Sequence, residues 1–136
     1  MAAKTYNLDF DGYVWEDDLP EVAGIYLTYT VVLNKETNRY NLDELVYIGE
    51  SDGIKSRQAE HFADGDYHRN AKLAYAYATL YGGEDNRKRC EAAMIYKVQP
   101  KWNTKNKKSF NYDTTTVNSS GKHNSVPATL TAYRTV

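Results

Sequence analysis

The residues able to do chemistry fall into three groups, and Glu91 is the first. In the helix-like run from Glu84 to Gln99, positions 91, 94, 95 and 98 share one face. Three of the four are Met94, Ile95 and Val98. A carboxylate at the rim of an apolar stripe costs desolvation unless something positive meets it. A hard divalent cation would do so, since Mg²⁺ takes one or two carboxylates and keeps several waters. Arg87, four residues earlier, would do so as an ion pair. The second group is Arg57 and His61, four apart and so on one face of a short helix. An arginine fork matches a phosphodiester and stays charged, and a histidine can shuttle a proton. Such a pair also suits a solvated helix. The third group is Tyr26 and Tyr47, within Gly24-Ile25-Tyr26 and Tyr47-Ile48-Gly49. On neighbouring strands the two phenols either pack together or hold a water and take its proton. His68 and His123 have no such companion and carry no role.

The elements that position these groups follow from pattern. Val22 to Leu33 is rich in Val, Ile, Tyr and Thr and reads as a strand. Asn34 to Asn38 is a turn, Asn34 to Leu42 an extended hairpin loop, and Leu45 to Gly49 the returning strand. Ile54 to Phe62 fits a short helix capped by Ser51 or Asp52 and ended at Asp64-Gly65-Asp66. Leu73 to Leu80 alternates large and small residues at period 2, a third strand, and Gly82-Gly83 breaks it. The helix from Glu84 to Gln99 has acids in its first turn, Lys97 in its last and Pro100 as its stop. Asp113 to Val117 and Thr129 to Tyr133, around the turn-like Ser119 to Lys122, read as a terminal hairpin. The expected architecture is an α+β domain: a small, mainly antiparallel three-stranded sheet flanked by helices, with a C-terminal β-hairpin extension.

Composition narrows the function. The chain has 136 residues, a formal net charge of −1, one cysteine and thirteen tyrosines. That length suits a single domain over residues 1–136. No apolar run approaches a membrane span, and the N-terminus has no apolar export region, so a cytoplasmic protein with no membrane association is expected. A lone Cys90 makes no internal disulfide, and no Cys/His cluster has zinc spacing. The small net charge hides an uneven distribution. Residues 1–50 carry ten acids and three bases, whereas residues 51–110 carry twelve bases and seven acids. Between Ala92 and Tyr112 there is no acid and there are five lysines. Such a stretch suits a phosphate backbone, as well as a solvated loop. Lys97, Lys101 and Lys105 in that run, with Lys55 on the short helix, are the candidate nucleic-acid contacts.

Taken in order, the two triplets, Arg57, His61, Glu91 and the Asn103 that follows the second helix resemble the active-site signature of the GIY-YIG nuclease superfamily. The resemblance spans residues 22–103 and leaves 104–136 as an extension of unassigned role. It implies a metal-dependent endonuclease that hydrolyses DNA phosphodiesters, with Glu91 as the protein ligand to Mg²⁺ or Mn²⁺. It implies Tyr26 as general base, Tyr47 positioning the water, and Arg57 neutralising charge on the phosphoryl oxygens. It also implies His61 assisting as hydrogen-bond partner or proton acceptor, and Asn103 holding the geometry. Many members place Lys directly after the second triplet, where this chain has Glu50. That departure motivates an alternative, a catalytically weak or inactive nucleic-acid-binding module of the same fold. With few residues outside the matched span to read bases, loose or shape-based specificity is expected unless another protein supplies targeting. One site cuts one strand, and a monomer is favoured over a homodimer.

Overall fold

The computed structural model describes residues 2–64 and 72–135, apart from the side chains of 62–64. Gly65, Asp66 and His68 lie outside the described residues. Six strands and two helices follow in the order β1 (Lys4–Val14), β2 (Gly24–Asn34), β3 (Arg39–Ser51), α1 (Ile54–Asp64), β4 (Leu73–Thr79), α2 (Glu84–Val98), β5 (Thr115–Gly121) and β6 (Thr129–Ala132). The strands form one curled sheet in the order β3-β2-β4-β1-β5-β6. Each pairing is antiparallel except β1 with β5, which is parallel.

This overturns the expected three-stranded sheet flanked by helices. The strand absent from that expectation is β1. Tyr6, Leu8 and Phe10 are buried while the residues between them are exposed, a period-2 pattern that sits inside an acid-rich segment. β1 inserts between β4 and β5, so the C-terminal hairpin continues the main sheet and is not an appendage. Its strands are joined by residues 122–128. The expected long loop after β2 is also replaced. β2 and β3 stay paired as far as Asn34 and Arg39, and the turn is tight, with Asn34 Oδ1 accepting the Glu36 N–H at 3.0 Å.

Two cores lie on opposite faces. Ile25, Leu27, Ala76 and Ala78 pack with Cys90, Ala93 and Met94 of α2. Tyr26 and Tyr75 pack with Leu19 and Ile54, the first residue of α1. The large/small alternation of β4 thus has a physical use. Its alanines let α2 approach one face, while its tyrosines fill the other. The α1 N-terminus is met from outside its own segment, because the Glu21 carboxylate accepts the Ser56 N–H at 3.1 Å and the Ser56 hydroxyl. Ser51, expected as the cap, instead accepts the Gly53 N–H at 2.9 Å. Among the described residues, no helix is long and apolar enough to cross a membrane.

Candidate active site

The two motif glycines explain the close fit of the strands that carry the tyrosines. Tyr26 pairs in register with Gly49 across β2 and β3. A side chain at Gly49 would collide with the Tyr26 ring and hydroxyl, so glycine leaves the phenol its place. Gly24 lies against the Ala78 carbonyl, where any Cβ would strike the β4 backbone. Tyr26 is consequently buried, and its hydroxyl reaches His61 Nε2 of α1 at 2.9 Å. When that nitrogen is unprotonated, the phenol donates. Tyr47 stacks near Tyr26, with centroids 6.1 Å apart, and meets the His61 ring edge-on at 5.3 Å.

Arg57, one turn before His61, is half-buried and donates from Nη1 to Glu60 at 3.1 Å. Burial alone would lower its guanidinium, but Tyr26, Glu60 and Tyr47 hold it above its ordinary value. The two phenols are therefore within electrostatic reach of a fixed positive charge. Glu91 comes from the other side of the cleft. Burial first, and the Glu50 carboxylate second, push its carboxyl up to about 7, against the Glu50 N–H, Lys88 and Arg57. Two adjoining cavities of about 410 and 400 Å³ share Tyr47, Arg57, Glu91, Lys105 and Asn106 as walls. His61 and Trp102 line the first, and Tyr26 and Glu50 line the second.

Arg87 is not the partner of Glu91 that helical spacing suggested. Its Nε donates to Glu50 Oε1 at 3.0 Å, and both side chains are largely buried. The carboxylate that stands where the resemblance expects a lysine is thus compensated within the fold. Asn103 lines the first cavity, but its amide is engaged by β3. Its side-chain amide accepts from the Ile48 N–H at 3.0 Å and donates to the Ile48 carbonyl at 2.9 Å. The neighbouring Trp102 N–H donates to the Val46 carbonyl at 2.9 Å. Together they fasten the 100–106 loop to β3 beside Tyr47.

The candidate nucleic-acid lysines separate. Lys105 lines both cavities. Lys101 pairs with Glu44 at 3.0 Å, and Lys55 donates to the Asp17 carbonyl at 3.0 Å, both away from the cleft walls. Lys97 is exposed near the end of α2. Sequence reasoning missed Trp102, Asn106 and Tyr112 as cleft residues. The left-handed backbone of Asn106, φ 64°, is a turn signal that its residue type supports.

For a cation, the donor set is Glu91, with Glu50 lining the same space. Among the described residues, no three His, Cys, Asp or Glu side chains gather into a closed cage. One or two carboxylates beside open volume suit a hard ion that keeps its waters, as Mg²⁺ and Mn²⁺ do. Comparison with known families, characterised proteins and solved structures finds no match for the chain.

Proposed function

We propose that the protein is a metal-dependent endonuclease of the GIY-YIG type, acting on DNA. The supporting observation is convergence: Tyr26, Tyr47, Arg57, His61 and Glu91, spread over 66 residues of chain, all line one pair of adjoining cavities. A divalent cation held by Glu91 would supply Lewis-acid stabilisation of the phosphate and the leaving 3′ oxygen. The chain's own residues then have distinct tasks. Tyr26 receives the proton of the attacking water and relays its own to His61 along the 2.9 Å hydrogen bond. An unperturbed phenol near pKa ~10 is a weak base at neutral pH, so the nearby Arg57 charge matters. Tyr47 orients the water, and Arg57 offsets charge gathering on the phosphoryl oxygens. Asn103 acts through the backbone, holding Ile48 and thereby its neighbour Tyr47. Lys105 contacts the phosphate chain. Specificity is loose or shape-based, and a monomer nicks one strand per encounter.

Supercoiled plasmid incubated with Mg²⁺ or Mn²⁺ should pass to nicked circles before linear product appears. No nicking by wild type, or equal nicking by Glu91→Ala, would sink this reading. The second reading, a binding module of the same fold without catalysis, draws on the buried Glu50–Arg87 pair, which removes a free cation from the cleft. Salt-sensitive DNA binding with no cleavage under either metal would favour it.

A further inference from the structure

A second aromatic site stands at the far end of the β2–β3 hairpin. Trp15, just after β1, and Tyr40, early in β3, meet edge to face with centroids 5.4 Å apart. The Lys72 ammonium lies 4.3 Å from the Trp15 ring centre and 5.3 Å from that of Tyr40. Beside the rings runs a groove of about 310 Å³ walled by Val31, Leu42 and Ala74, with Arg39 as its charged lining residue. Trp15 is 37% exposed and Tyr40 45% exposed, so both rings are open to solvent. Residues 1–50 hold ten acids and only three bases, yet among the described residues the charged groups placed at the groove and its rings, Arg39 and Lys72, are both cations. Open aromatic rings with cations set among them are the composition that holds single-stranded nucleic acid, bases stacking on the rings and the backbone following the charge. An unfilled groove for an apolar partner would not need the cations.

Position adds to this. Tyr40 is in register with Leu33, seven residues along β2 from Tyr26 and on the opposite face of the sheet. At the usual strand rise ~23 Å is therefore the shortest span between them, a minimum of roughly seven nucleotides at stacked spacing. We propose that the Trp15–Tyr40 groove is a second DNA contact that stacks a base of a single strand running from the cleft, with Arg39 and Lys72 beside its phosphates. The inference rests on the DNA reading above and extends it to substrates with an unpaired strand of at least about seven nucleotides next to the cut.

Fluorescence anisotropy without metal tests it, using mixed-sequence single strands of about 5 and about 20 nucleotides. Wild type should bind the longer strand more tightly. Trp15→Leu/Tyr40→Ala should weaken the longer strand by ~10-fold or more and leave the shorter one within about 2-fold. Because that double variant disturbs two packed rings, Arg39→Gln provides an independent arm at an exposed position. It should keep the wild-type melting temperature, weaken the longer strand, and reduce the salt slope by about one. If wild type nicks plasmid but Arg39→Gln binds the longer strand with unchanged affinity and salt slope, the groove proposal falls and the nuclease reading stands. If wild type retards neither strand and cuts nothing, both fall.

Discussion

Arg87 and Arg89 sit two residues apart on α2, both buried, and they serve opposite ends of the molecule. Arg87 meets a carboxylate, Glu50, at the cleft. Arg89 meets only neutral oxygens where β1 joins β5: the Thr115 hydroxyl at 2.8 Å and the carbonyls of Ala2, Asp113 and Thr114 at 3.1–3.2 Å. At the β1–β5 seam a guanidinium is a multi-donor bolt whose charge is dispersed over backbone dipoles. In the cleft, charge faces charge, and Glu91 is left raised by burial and by its neighbour. The seam holds its charge in a fixed set of neutral partners, whereas the cleft holds a carboxyl whose ionisation opposes the fold.

The sharpest way to break that contrast is to remove a cleft charge that the fold does not need. Arg57→Ala loses an exposed partner in Glu60, so its melting temperature should stay near that of wild type. Its plasmid-nicking rate should fall by ~10²–10³-fold, the usual cost of deleting one electrostatic donor to a transition state. Equal nicking would remove the functional half of the comparison.

The next effect concerns pH. Glu91 has a folded pKa of about 7 against an ordinary 4.5, so ionisation is penalised in the fold. The penalty is absent below the unfolded value, grows as pH rises, and is complete above the folded one. The metal-free protein should therefore lose up to ~3 kcal/mol of stability across that window, and Glu91→Gln should abolish the loss. Denaturant midpoints at about pH 4.5 and about pH 8 measure it; parallel slopes in both proteins would contradict the assignment.

At the seam the expectation is reversed. Arg89→Met should cost about 2–3 kcal/mol, because several buried carbonyls lose a charged donor, with a nicking rate per folded molecule that does not change. Chemical denaturation paired with the plasmid assay separates the two quantities. Smallest of all is Lys101→Ala. It breaks an exposed ion pair with Glu44 and should shift stability by less than ~0.5 kcal/mol, within the scatter of a thermal melt.

The same contrast describes what the sequence could reveal. Local periodicity located β2, β4, α1 and α2 to within a few residues, because strand alternation and helix-stop residues act over short range. The tyrosines, Arg57, His61 and Glu91 were visible through residue type and order. What escaped was nonlocal. The alternation of Tyr6, Leu8 and Phe10 is readable in β1, but its parallel partner lies 111 residues away, and no local pattern announces that pairing. Arg87 shows the same limit. Helical spacing offers it Glu91, while the fold brings Glu50 from 37 residues away. The partners of Asn103 were likewise hidden, since they are backbone atoms of another element.

That Asn103 contact has a consequence beyond geometry. β3 is the last strand on its side of the sheet, and a terminal strand offers unpaired amides and carbonyls to any other chain. The Asn103 amide occupies both backbone groups of Ile48, and Trp102 takes the Val46 carbonyl. A side-chain plug of four heavy atoms thus occupies the edge beside buried Val46 and Ile48. Asn103 covers edge backbone through which a second copy of the chain could otherwise pair, besides fastening its own loop to β3.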